Sequence, residues 1–302
     1  MNLQFLADGL LMGAMISLGA IGVTLTYAIL RFANFAHGEF VAWGAYFTLF
    51  LLSVIGSLLA GPVPALGPLS FSWVMLPAAA LAALLTGALA LGLDACLFSR
   101  LRNRGSFIVM VIASFGASLA LRSMLEFLFT SQPAYFSHAI QMAVPIGFGI
   151  RVTPDHLFLL TMTLLVFIAV DRFMALSASG RAMRAVSENP SLAEISGIDV
   201  ARIVRVTWML GGALACAAGI MLGLTVQVRP FMGFDLLLPL FAATILGGIG
   251  SVRGAVVGGL IIGVSESFAV KVVGADYRAA VAFLILIAVL LLRPTGLFGV
   301  RQ

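Results

Sequence analysis

The chain has 302 residues, of which 62% are hydrophobic and only 10% are Asp, Glu, Lys or Arg. A soluble domain carries about 25% charged residues because its surface must be wetted, so this composition excludes a water-soluble globular protein. The formal charge of +5 comes from 17 basic and 12 acidic residues without any Lys/Arg run, and it reads as the basic bias of cytoplasmic loops rather than as a nucleic-acid surface.

Nine apolar segments follow one another, near Phe5–Leu30, Phe40–Ala60, Trp73–Phe98, Phe107–Phe129, His156–Leu176, Val206–Val228, Leu236–Ile249, Ala255–Val273 and Ala279–Leu292. Most approach the length needed to cross a hydrocarbon core about 30 Å thick. The predicted fold is all-α: a polytopic integral membrane helical bundle of about eight to ten spans, forming one domain over residues 1–302. The seventh and eighth segments are short and glycine-rich, so a broken or re-entrant helix is expected at either. Met1–Leu10 contains Asp8 but no Lys or Arg. It lacks the charged region of a cleavable signal peptide, and the first run is expected to remain as a span. Cys96 and Cys216 lie inside apolar segments and read as small buried hydrophobes.

The connecting segments set an orientation. Arg100, Arg102 and Arg104 share one loop, Arg181, Arg184, Arg202 and Arg205 lie in the longest polar stretch, and Arg293 and Arg301 flank the carboxyl end. Gly61–Ser72 has no basic residue, and Ser131–Asp155 has only Arg151. The arginine-rich segments are expected in the cytoplasm, which puts the amino terminus outside.

The first polar stretch is Phe32–Phe40, FANFAHGEF, which sets Asn34, His37, Gly38 and Glu39 between two apolar spans. Ionisable groups at membrane depth cost about 2.5–3.5 kcal/mol each, so they face protein or water and mark a pathway. Two readings stand side by side: a helix interruption whose freed backbone groups bind a polar solute, or a short loop with a capped helix start. A His–Glu metal or proton site lacks a second cluster of ligands. Farther along, Arg122 and Glu126 stand four residues apart on the fourth span and are expected to neutralise each other. Asp94 reads as a polar group near a span end.

The second polar stretch is Ser177–Val206, SASGRAMRAVSENPSLAEISGIDVARIVRV, a predicted cytosolic loop over about residues 177–206. Asn189 suits an N-cap and Pro190 the first helical position, while Gly197 suits the position that ends a helix. The predicted helix, Pro190–Ser196, is only about two turns long and needs something to pack against. Leu192, Ile195 and Ile198 offer an apolar edge among Glu188, Glu194, Asp199 and the arginines. Such an element docks a partner. A helix lying on lipid would be longer and richer in Lys and aromatics.

In Ile245–Gly263, ILGGIGSVRGAVVGGLIIG, small residues recur every third or fourth position. That spacing lets helix backbones approach in lipid, whereas the Gly247, Gly248, Gly250 run suits a broken helix lining a pathway. Glu266 falls in the same small-residue region.

Across nearly its whole length the sequence resembles the permease subunits of bacterial branched-chain amino acid ABC importers. The resemblance rests on NFAHGE at Asn34–Glu39 followed by Trp43-Gly44-Ala45-Tyr46, and on GRAMRAVSENPSLAEISGIDVARI. It continues through AAGIMLG at Ala217–Gly223, ATILGGIGSVRGAVVGGLIIGVSES at Ala243–Ser267 and RPTGLFG near the end. The chain is similar to the shorter of the two homologous permeases, which lacks the longer one's extra amino-terminal spans. Family members often carry an acidic–Ala pair where Ser187-Glu188-Asn189-Pro190 stands here, which bears on the choice of ATPase.

The resemblance implies two permeases, identical or homologous, two cytosolic ATPase subunits carrying ATP and Mg, and an extracytoplasmic solute-binding protein, in the bacterial inner membrane and in contact with lipid. It makes Pro190–Ser196 the coupling helix, with Arg184, Glu188, Asn189, Pro190, Leu192, Ala193, Ile195, Gly197 and Ile198 at the ATPase contact. Asn34, His37, Gly38, Glu39, Gly247, Gly248, Gly250 and Glu266 become the substrate-pathway candidates. No GxxxxGK[ST] motif is present, so ATP hydrolysis belongs to another chain, and no cofactor is expected on this one. Related permeases with the same motif carry urea, short amides or aromatic acids. A proton-coupled secondary transporter or channel using His37 and Glu39 is the remaining alternative, and it has no need of a docking helix.

Overall fold

A computed structural model of the chain describes residues 3–59, 64–102, 106–137, 139, 141–147, 149–293 and 295–299. Gly61, Arg104, Pro294 and Arg301 lie outside them. The elements, in chain order, are α1 (Gln4–Leu30), α2 (Ala36–Leu58), α3 (Met75–Leu93), a π-helical turn (Asp94–Phe98), α4 (Ser99–Arg102) and α5 (Phe107–Phe129). A short hairpin of β1 (Val144–Gly147) and β2 (Ile150–Val152) follows, then α6 (Pro154–Leu176), α7 (Ala178–Glu188), α8 (Pro190–Ile195) and α9 (Val200–Thr225). The chain closes with α10 (Met232–Gly247), α11 (Val252–Val272), a 3-10 turn (Ala275–Tyr277) and α12 (Arg278–Leu292).

Eight helices among the described residues are long and apolar enough to cross a membrane: α1, α2, the continuous run Met75–Arg102, α5, α6, α9, α11, and α12 with its preceding turn. The chain is a multi-pass, all-α membrane protein. The seventh apolar segment is the short one, since α10 has 16 residues and is about 24 Å long, less than the bilayer core. The eighth is neither short nor broken: α11 runs unbroken for 21 residues. The interruption falls between them, where Gly248 and Gly250 take φ of 97° and 88°, values open to glycine and strained for other residues.

The core is built around α1, which packs on α9, α10 and α11. Of its most apolar stretch 89% is buried, against 6% for α12, so α1 is a central post and α12 an outer wall. Small residues allow this packing. A Cβ on Gly263 of α11 would stand 2.2 Å from the Gly13 backbone nitrogen of α1, so the two backbones touch. Cys216 is buried, but Cys96 is exposed on the π turn, against expectation. In a bilayer an apolar helix face can point at lipid as readily as at protein.

The arginine-rich segments meet at one end of the bundle. The Arg31 guanidinium, just past α1, donates to the Ser187 and Glu188 carbonyls at the end of α7. Arg253 at the start of α11 pairs with Asp171 near the end of α6 at 2.9 Å. Phe98 near the end of the Met75–Arg102 helix stacks on Trp208 and touches Phe32. The start of α1 lies at the opposite end, where Gln4 exchanges hydrogen bonds with the Arg151 backbone on β2. Asp155 gathers the loops there, accepting from the Ser70 backbone, the Ser70 hydroxyl and Gln141.

Candidate functional site

The FANFAHGEF stretch resolves into a five-residue link, Arg31–Phe35, and the first turn of α2. The second apolar helix thus starts four residues before its apolar run. Local chemistry sets that start: the Asn34 side-chain oxygen accepts from the Ala36 N–H at 3.1 Å, turning the chain into the helix. The link is anchored to α5, because the Phe35 N–H donates to Ser114 Oγ at 3.1 Å. The stretch is not a wetted loop. Asn34, His37 and Glu39 are 4%, 1% and 0% exposed.

His37 fills the space between α1 and α9 that two glycines leave open. A Cβ on Gly22 would stand 2.8 Å from its ring, and one on Gly211 would stand 3.9 Å from it. Gly38 serves close packing. A Cβ there would lie 2.6 Å from the Gly233 carbonyl oxygen, and a Cβ on Gly233 would lie 2.0 Å from the Gly38 carbonyl oxygen. The starts of α2 and α10 therefore touch through their backbones.

Glu39 points at α5. Its Oε1 accepts from Arg122 Nη2 at 2.6 Å and from Ser118 Oγ at 3.0 Å. Ser118 is the central residue of α5, so the pair sits at mid-height of a membrane-spanning helix. Arg122 thus reaches across to α2 rather than along its own helix to Glu126, as had been expected. A buried carboxylate needs its countercharge far more than a half-exposed one does. Its guanidinium carbon lies 4.4 Å and 4.9 Å from the ring centres of Phe234 and Phe231, within cation–π range.

Of the other pathway candidates, the three glycines stand apart from this junction. Gly247, Gly248 and Gly250 form the α10–α11 turn at the arginine-rich end, where the Gly250 N–H donates to Thr24 Oγ1 at 2.8 Å. A Cβ on Gly247 would lie 2.1 Å from the Gly254 carbonyl oxygen, so that glycine serves the α10–α11 contact. Glu266 lies farther along α11, paired with Arg278 at 2.8 Å. Asp94 pairs with Arg102 at 2.6 Å. Sequence reasoning gave Arg122 the wrong partner and missed Ser118, Phe231 and Phe234. An arginine in the middle of an apolar span was the available signal, because such a charge calls for a carboxylate at the same depth.

The Ser177–Val206 stretch holds two complete helices where one was expected, and then the start of α9 at Val200. Ser177 caps α7, its hydroxyl accepting from the Gly180 N–H at 2.8 Å, and Met183 and Val186 bury one face of it. Asn189 caps α8 as read, its side-chain oxygen accepting from the Leu192 N–H at 3.0 Å. Ser196 stands just past the end of α8. At that end Ile198 N–H bonds the Ala193 carbonyl and Gly197 N–H bonds the Glu194 carbonyl, with Gly197 at φ 84°: a paired closure that only a left-handed residue completes. Ala193 is buried and Ile198 half-buried, Arg184 is held by the Met174 carbonyl at 2.5 Å, and Glu188 is exposed. Leu192 and Ile195 stand 61% and 84% exposed, so the helix presents two apolar side chains outward from a polar end. Asn189→Ala should loosen α8 by about 1 kcal/mol, seen as faster amide exchange over residues 190–196 with α9 unchanged.

The family model for the branched-chain amino acid transport system / permease component matches residues 5–290. The chain is 33% identical over 306 residues to the high-affinity branched-chain amino acid transport system permease protein BraD of Pseudomonas aeruginosa, covering 98% of this chain and 95% of that one. It is 30% identical over 303 residues to the corresponding LivH of Escherichia coli strain K12, with the same coverage of 98% and 95%. A probable branched-chain amino acid transport permease protein, LivH of Methanocaldococcus jannaschii, is 30% identical over 293 residues, covering 93% of this chain and 87% of that one.

Proposed function

This chain belongs to the branched-chain amino acid transport permease family, and on that premise we propose that it is the membrane-spanning subunit of an ATP-driven importer carrying branched-chain amino acids across the bacterial inner membrane. The arginine-rich end faces the cytoplasm. There, two ATPase subunits holding ATP and Mg receive α8, one on this chain and one on a second permease, identical or homologous. An extracytoplasmic binding protein delivers the solute to the opposite end, and Asn34, His37, Gly38 and Glu39 stand along its path.

The observation that carries this reading is the exposed pair Leu192 and Ile195 on a helix closed at both ends by its own caps. Two apolar side chains held outward in water contribute nothing to a lone permease, but they suit an apolar groove in a partner. Arg31 binds the turn just before that helix, so a displacement of α8 reaches the Arg31–Phe35 link and the start of α2.

The test is capture of the cognate ATPase subunits by the purified chain. Leu192→Asp sets a charge in the partner's groove and should lower capture by about tenfold or more. No capture by the wild type, or equal capture by both forms, would sink the docking assignment.

A further inference from the structure

Five ion pairs are formed among the described residues, and one is built differently. In four of them the arginine side chain is 34–71% exposed. In the fifth the Arg122 side chain is 9% exposed and the Glu39 side chain 1%. Burying both charges costs desolvation that their attraction offsets only when the remaining polar atoms are also satisfied. Here they are not. One oxygen of Glu39 takes both hydrogen bonds, while its Oε2 and the Arg122 Nε have no partner.

Arg122 is roofed by Phe234 and Phe231, which are 41% and 48% exposed. Phe234 also lines a groove with Arg229, Met232, Glu266 and Arg278. The Phe234 ring therefore stands between that groove and a buried pair of opposite charges with one free polar atom on each member.

We propose that Glu39 and Arg122 form a binding site for a zwitterionic α-amino acid, with Phe231 and Phe234 holding its apolar side chain; the proposal rests on the amino acid transport reading above. The substrate ammonium takes the Glu39 carboxylate, and the substrate carboxylate takes the Arg122 fork, which suits a planar two-oxygen partner. A zwitterion carries the same two charges as the pair. Inserted between them, it turns one ion pair into two and leaves no charge unmatched at the apolar mid-height of the bundle. An anion or a cation alone leaves one buried charge without a partner, which is the costly arrangement. Discrimination against singly charged analogues follows from that difference rather than from shape.

The experiment uses the complete importer in detergent and measures its melting temperature against leucine, 4-methylpentanoate and 3-methylbutylamine. Leucine should raise the melting temperature of the wild type, and neither singly charged analogue should. Glu39→Gln should need at least about tenfold more leucine and should gain a response to 4-methylpentanoate, which matches the charge left on Arg122. Arg122→Met should gain the converse response to the amine. Glu39→Gln/Arg122→Met leaves no buried charge at this junction, so its folding is protected, and it should respond to none of the three. A wild-type leucine response kept by the double variant would make the pair a structural cross-link and overturn the proposal, as would a wild type that imports leucine but shows no leucine response. A wild type that imports no amino acid when supplied with its binding protein instead removes the transport reading beneath it.

Discussion

Arg122→Met should lower the stability of the purified protein by about 3–5 kcal/mol, the cost of removing one partner from a buried ion pair. Glu39 is 0% exposed, and without the guanidinium only the Ser118 hydroxyl at 3.0 Å remains to it. The carboxylate must then stay charged in an apolar surrounding or take up a proton, and either is unfavourable. The stacking of the guanidinium on Phe231 and Phe234 is lost as well. Adding Glu39→Gln should recover most of the loss, because a neutral amide keeps the Ser118 contact and carries no charge to compensate. Thermal melting of the wild type and the two variants reads this directly. A double variant that melts no higher than Arg122→Met would mean that Arg122 stabilises the fold by packing alone.

Gly219→Val should cost about 3 kcal/mol, at the upper end for overpacking, and should sharply reduce the yield of monodisperse protein. A Cβ at Gly219 on α9 would stand 2.0 Å from the Val41 carbonyl oxygen on α2. One turn away, a Cβ at Gly44 would stand 2.4 Å from the Cys216 Cα. The obstacle in both cases is backbone, which no rotamer change removes, so α2 and α9 must separate. Separation would also pull Glu39 away from its place opposite α5. Gly116→Val on α5 is the control, since nothing lies within 4 Å of a Cβ there; it should melt as the wild type does. Equal melting of the two variants would show that the α2–α9 contact yields without cost.

The particular residues divide by the range of the interactions that place them. Asn189 and Gly197 could be read as the ends of a short helix because caps act over three to five residues, and the local sequence contains all the atoms involved. The second helix of that stretch was equally legible, with Ser177 at its cap and Met183 and Val186 three apart, although the arginines around it read as loop. The start of α2 was legible in part, since Asn34 and Ala36 are two residues apart. The depth of that turn was not.

By itself the sequence determined that the chain lies in a membrane, where its spans fall, which connecting segments share one end and where a short capped helix lies between two spans. All of these follow from composition and from contacts between near neighbours along the chain. Only the tertiary structure decided the partner of Arg122, which lies 83 residues from Glu39, the burial of Cys216 but not Cys96, and the use of Gly38 and Gly247 in backbone contacts. The reason is the solvent. In water an apolar face identifies the core, but lipid accepts apolar faces on either side of a helix. What is buried, and which charge meets which, is then fixed by the packing of distant helices.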